Sequence, residues 1–173
     1  MTSIGSWQPR VVEHVWFSLD TSMATSRVLT DAGDGYLKAL GNRQGPHPLA
    51  CELVATQLAG WFGLPTFAAA VIVLSEDGIE IPFLRGGKAV PGPAFITRAE
   101  AGKTWGGGDE ELDQLDNPDD ISRIVVFDTW VLNCDRHPPD LAMRRPNYDN
   151  VFLSAEGTAR DRIARAFRAT TRF

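Results

Sequence analysis

Asn133-Cys134-Asp135-Arg136-His137-Pro138-Pro139-Asp140, placed directly after the apolar run Ile121 to Leu132, is the stretch on which the reading of this chain turns. The run opens at Asn117-Pro118-Asp119-Asp120. An asparagine is a good capping residue, a proline loses nothing at the first helical position, and two acids suit the positive end of a helix dipole. A helix is therefore predicted, with Ile121, Ile124, Val125, Asp128, Val131 and Leu132 as its buried stripe. Asp128 is the anomaly on that stripe, because a carboxylate near a helix C-terminus meets the unfavourable end of the dipole. Breaking a buried ion pair costs roughly 3–5 kcal/mol, so Asp128 needs a cation, and Arg136 or His137 in the following loop is the nearest.

Downstream, Pro146-Asn147-Tyr148-Asp149-Asn150 leads into the apolar Val151-Phe152-Leu153. An apolar helix ending in Asn-x-Asp-Arg-His, with a later Asn entering an apolar strand, resembles the HipA-like kinases and, more distantly, the lipid-kinase-like members of the same fold. The resemblance implies ATP- and magnesium-dependent phosphoryl transfer to a protein Ser/Thr hydroxyl. Asp135 would orient or deprotonate the acceptor and Asn150 would hold magnesium, with Asn133, Arg136, His137 and Asp128 supporting the loop. Such chemistry depends on positioning and charge neutralisation, which a loop on a rigid helix and a returning strand can supply. Asp140 stands where the lipid-kinase-like loops place the Asn, so the ligand is delayed to Asn150, with Asn147 as the alternative.

Upstream, Val11 to Phe17 and Arg27 to Thr30 read as strands, joined by the hydroxyl-rich Asp20 to Ser26. Asp31 to Gly35 makes a turn into a third strand, Tyr36 to Leu40, and the three form an antiparallel meander. A helix is predicted from Pro48 to near Gly63, burying Ala50, Leu53, Val54, Leu58 and Trp61, with Glu52 on the opposite side. Phe67 to Leu74, Ile79 to Ile81 and Ala94 to Thr97 follow as strands, and Gly102 to Gln114 as an exposed connector. By the same resemblance, Lys38 contacts the nucleotide phosphates and Glu52 pairs with it. The Asp20 to Ser26 turn has no glycine, so Ser22, Thr25, Ser26 and backbone N–H groups would cover the phosphates.

The fold expected is α+β, a protein-kinase-like two-lobe architecture. Residues 1–100 form a strand-rich N-lobe with one helix, and 101–173 an incomplete C-lobe with an arginine-rich tail. The resemblance runs over about residues 10–157. Kinase-like enzymes carry a second metal-binding Asp on the strand after the Asn strand. Past Leu153 only Asp161 remains, in Arg160-Asp161-Arg162. The change of charge at Thr158 leads to the expectation of a truncated or frame-altered chain; the alternative is that Arg160 to Arg172 forms a solvated amphipathic helix. A catalytically dead kinase-fold binding module and a small-molecule phosphotransferase acting on a small hydroxyl acceptor therefore stand beside the leading function.

Composition narrows the remaining classes. A net charge of −5 gives no basic footprint for nucleic acid. The longest apolar run, Phe67 to Leu74, is far short of a membrane span, so no membrane partner is expected. Cys51 and Cys134 have neither CxxC spacing nor a Cys/His cluster, so no zinc site is signalled and a reduced, cytoplasmic setting follows. No G-x-S-x-G elbow points to hydrolysis. Gly106-Gly107-Gly108 follows Lys103 instead of preceding a helical lysine, so it is not a P-loop.

Overall fold

The computed structural model describes residues 7–113, 115–133, 135–136, 138, 140, 142, 147, 150–155 and the backbone of 162–164. The chain divides into two compact units, one built on Ser3–Leu53 with Ala68–Ala99, the other on Val54–Phe67 with the chain from Glu100 on. Each carries its own antiparallel sheet.

In the first unit, β1 (Val12–Ser18), β2 (Ser26–Thr30) and β3 (Gly33–Lys38) form the expected meander. β4 (Ala69–Leu74) and β5 (Gly92–Arg98) complete a sheet of order β1-β2-β3-β5-β4. Strand alternation sorts the side chains. Val28, Leu37, Ile72 and Ile96 lie in one core with Trp7, Val12 and Ile81. Phe95, paired with Lys38 across the strands, lies in a second core with Met23, Leu49 and Ala69. The third strand starts three residues earlier than the turn residues suggested. Asp31 and Ala32 alone make the turn, because Thr30 pairs directly with Gly33, whose φ of +100° is open to glycine. The Asp31 carboxylate accepts the main-chain N–H groups of Arg10 and Val11, which holds its carboxyl below the usual value. Ile79 to Ile81 is not a strand; of this stretch and its neighbours only Pro82 forms a bridge, with Lys88.

Helix α1 (His47–Trp61) is rotated relative to the expected stripe. Leu49, Glu52, Ala55, Thr56 and Ala59 are buried, whereas Val54 and Trp61 are exposed. Small alanines allow close packing at positions that hydropathy alone undervalues. Glu52 therefore faces inward, the reverse of the sequence expectation.

In the second unit, β6 (Gly102–Thr104), β7 (Phe152–Ser154) and β8 (Arg162–Ala164) form a sheet of that order. Two corrections follow. Gly102 to Thr104 is a strand and not a connector, and it needs its glycine because a Cβ there would lie 2.1 Å from the Leu153 carbonyl oxygen. Arg162–Ala164 pairs antiparallel with β7, so this part of the tail is strand and not helix. The remainder of the proposed tail helix, and Asp161, lie outside the described residues. Helix α2 (Asp109–Leu112) precedes α3 (Asp119–Trp130), which starts one residue later than expected, with Pro118 and not Asn117 at the N-cap and no side-chain cap bond. Ile124 packs with Leu115, Val151 and Leu153. Phe127, absent from the expected stripe, packs with Ala55, Ala59 and Leu64, while Val125 and Leu132 face outward.

The end of α3 sets up the following loop. The Asn133 N–H donates to the Asp128 carbonyl at 2.8 Å and the Leu132 N–H to the Thr129 carbonyl at 3.4 Å, the paired bonds of a Schellman motif. The residue between helix and Asn133 must be left-handed, and Leu132 adopts φ 53° although it is not glycine. Leu132 is 74% exposed, so little packing offsets the strain. Leu132→Gly is expected to raise stability by about 0.5–1 kcal/mol, read as a higher urea midpoint at unchanged m-value; a lower midpoint would show that the leucine is not strained.

On the sheet of the first unit, the Arg27 guanidinium donates to Asp34 at 2.9 Å and the Trp16 indole N–H at 3.0 Å. Arg27 first, then Trp16, hold the Asp34 carboxyl below its usual value of 3.8. A carboxyl depressed in the folded state stabilises above the unfolded pKa and loses that contribution as the pH falls through the folded one. The pair is about one-third exposed, so the contribution is below about 1 kcal/mol. Thermal melts from pH 6 down to pH 2 should therefore decline less steeply for Asp34→Asn, the gap between the curves closing by about 1–3 °C below pH 4; parallel curves would contradict the assignment.

Candidate active site

Because the Schellman turn ties Asn133 back onto the last turn of α3, the chain leaves the helix in a defined direction toward Asp135. The Asn133 side-chain amide donates to Asp128 Oδ1 at 3.1 Å. Arg136 donates to the same oxygen, forming a buried ion pair with Asp128. Arg136 is thus the cation for the anomalous carboxylate on the helix. Its other terminal nitrogen donates to the Asn150 carbonyl at 3.2 Å. One guanidinium thereby joins the end of α3 to the entry of β7. His137, the other sequence candidate, lies outside the described residues.

Asp135 is buried, and two asparagines converge on it. The side-chain amides of Asn147, at 3.0 Å, and Asn150 both donate to Asp135 Oδ2. The Asn147 main-chain N–H adds a bond to the Asp135 carbonyl at 2.9 Å. Asn150 is completely buried, and with its amide nitrogen engaged, its Oδ1 has no hydrogen-bond partner among the described residues. Asn133 Oδ1 is likewise buried without one. A sealed, unpartnered carbonyl oxygen costs roughly 1–3 kcal/mol unless something arrives to meet it.

That oxygen is the test of whether the residues suit magnesium. A hard cation that keeps several waters is typically held by few protein oxygens, and a carbonyl oxygen beside a carboxylate fits that habit. Asn150 Oδ1 would hold it, with the Asp135 carboxylate alongside. No group of three or more His, Cys, Asp or Glu lies together among the described residues.

In the first unit, Lys38 Nζ donates to Glu52 Oε1 in a second buried ion pair. Lys38 reaches it because strand alternation turns Lys38 to the face that carries Phe95, and α1 turns Glu52 to the same core. Glu52 Oε2 has no hydrogen-bond partner among the described residues. Ser26 is buried within β2, where its hydroxyl and that of Ser18 are 3.0 Å apart. The preceding turn is closed by its own residues, with the Thr25 N–H donating to Thr21 Oγ1 at 3.0 Å and Met23 anchored in the core.

Sequence reasoning placed Asn147 only as an alternative metal ligand and missed its hold on Asp135. The signal was the pair of asparagines three residues apart, whose destination could not be read from spacing. It also placed Glu52 on the wrong face.

A mixed α/β chain with an antiparallel sheet, a buried Lys–Glu pair and an Asp-Arg loop after an apolar helix fits the class of kinase-like folds. Compared with known families, residues 29–155 match the HipA-like kinases, well over half of the chain, and it belongs to that family. No curated protein matches it. Membership implies, in general terms, a nucleotide and a phosphate acceptor as partners. No helix among the described residues is long and apolar enough to cross a membrane.

If Arg136 is the cation that makes burial of Asp128 tolerable, Arg136→Ala should lower unfolding free energy by about 3–5 kcal/mol in urea titration. The double replacement Asp128→Leu with Arg136→Met should recover most of it, since apolar substitutes for a buried pair are often neutral. A loss under about 1 kcal/mol for Arg136→Ala would refute the role.

Proposed function

We propose that this chain transfers the γ-phosphoryl group of ATP, with magnesium, to the hydroxyl of a protein serine or threonine. The observation that carries the reading is the Asp135 carboxylate held by Asn147 and Asn150, with Asn150 Oδ1 left unpartnered among the described residues. Family membership supports the reaction class. Asp135 takes the proton of the acceptor hydroxyl as the new oxygen–phosphorus bond forms and the bond to the ADP oxygen breaks. Asn150 holds magnesium, which supplies charge neutralisation at the phosphates. Lys38, kept in place by Glu52, contacts the phosphates, and Ser26 lies at the end of the turn assigned to cover them. Asp128, Asn133 and Arg136 act through the loop by fixing the direction in which Asp135 points. The loose transition state of phosphoryl transfer asks mainly for such positioning. A cytoplasmic setting belongs to this reading, supported by two cysteines without any pairing or metal-binding pattern.

Radiolabelled ATP with magnesium and a mixed protein acceptor tests it. Transfer by the purified chain should fall at least about 100-fold in Asp135→Asn, which keeps the shape but cannot accept the proton. Transfer unchanged by that substitution would remove Asp135 as the base. Label appearing on small hydroxyl compounds and on no protein would redirect the acceptor assignment.

A further inference from the structure

The two asparagines that meet Asp135 look alike in sequence, yet the structure gives them different surroundings. Asn150 is sealed from solvent, its main-chain carbonyl is held by Arg136, and its Oδ1 has no partner among the described residues. Asn147 is only half-buried, so its own Oδ1 has no comparable need of a ligand. Both N–H groups of Asn147, side chain and main chain, are instead directed at Asp135, to Oδ2 and to the carbonyl. Those two bonds grip one residue at both ends across twelve positions of chain. With the main chain of Asp135 tied to Asn147 and its Oδ2 held by the Asn147 amide, the carboxylate cannot swing away without breaking the bond to Oδ2, and hydrogen bonds to a carboxylate are the strong ones.

We infer that Asn147 is a positioning residue for Asp135 and not a metal ligand, so that the two asparagines divide the work: Asn147 orients the carboxylate and Asn150 presents the oxygen to the metal. This rests on the proposed phosphoryl transfer for its consequence, but the clamp itself is a property of the resting protein. In a reaction governed by alignment, displacing a catalytic group by about 1 Å can reduce rate about 100-fold. Substrate affinity, set by other contacts, should barely change.

Three measurements on the full chain test it. Manganese titrations with a non-hydrolysable ATP analogue, followed by electron paramagnetic resonance, should give Asn147→Ala an affinity within about twofold of the unaltered chain, while Asn150→Ala loses about tenfold or more. Steady-state kinetics should show kcat reduced about 10- to 100-fold in Asn147→Ala with KM for ATP within about twofold, and partial recovery in Asn147→Gln. Independently of any activity, the side-chain amide protons of Asn147 should exchange slowly with solvent by nuclear magnetic resonance, and Asp135→Ala should release them.

Equal loss of manganese affinity in both asparagine variants would make Asn147 a ligand and overturn the inference. If the unaltered chain binds no manganese, the metal assignment of Asn150 fails, and the clamp is judged on amide exchange alone. Asn147 protons that exchange equally fast with and without Asp135 would overturn the clamp in that case too.

Discussion

The buried ion pair of Asp128 and Arg136 is the constraint on which the candidate site depends. An aspartate on the inner face of a helix, close to its C-terminus, is unfavourable on both dipole and desolvation grounds. Its presence is explained by what it gathers. Asp128 accepts from Arg136 and from Asn133, and Arg136 in turn donates to the carbonyl of Asn150. The helix end, the loop carrying Asp135 and the start of the strand after Asn150 are thereby fixed to one another through a single guanidinium. An apolar pair would fill the same space with comparable stability but would give the loop no such address.

A similar economy holds in the other unit. Lys38 and Glu52 are both buried, and each makes the other's burial tolerable. The pairing places an ammonium group at a defined point on a strand and ties that strand to α1. The two constellations share a design, in which burial enforces geometry because the alternative is an unpaired charge. Around them the surroundings are ordinary: an antiparallel sheet with alternating faces, and alanines where α1 packs closely.

Much of this was legible in the sequence where a local physical rule spoke alone. The meander, α3 and the burial of Asp128 follow from β-branched runs, capping residues and helical spacing. The direction of α1 was not legible, because hydropathy favoured Val54 and Trp61 over Ala55 and Ala59, and no local rule predicts that a glutamate lies inward until its lysine partner is known. β6 was hidden for a related reason. Gly102, Lys103 and Thr104 have no strand signature, and they are a strand only because β7 arrives from far along the chain. In the site, Asp135 and Asn150 were named by resemblance, but their mutual hydrogen bond and the grip of Asn147 are tertiary facts.

We propose that Asn150 Oδ1, without a partner among the described residues and beside Asp135, is where the catalytic metal sits. Crystals of the chain grown with manganese and a non-hydrolysable ATP analogue test it through the anomalous signal of the metal. A peak about 2.1 Å from Asn150 Oδ1, the bonding distance of a small divalent cation, is expected. A peak elsewhere, with a water molecule donating to Asn150 Oδ1, would contradict it.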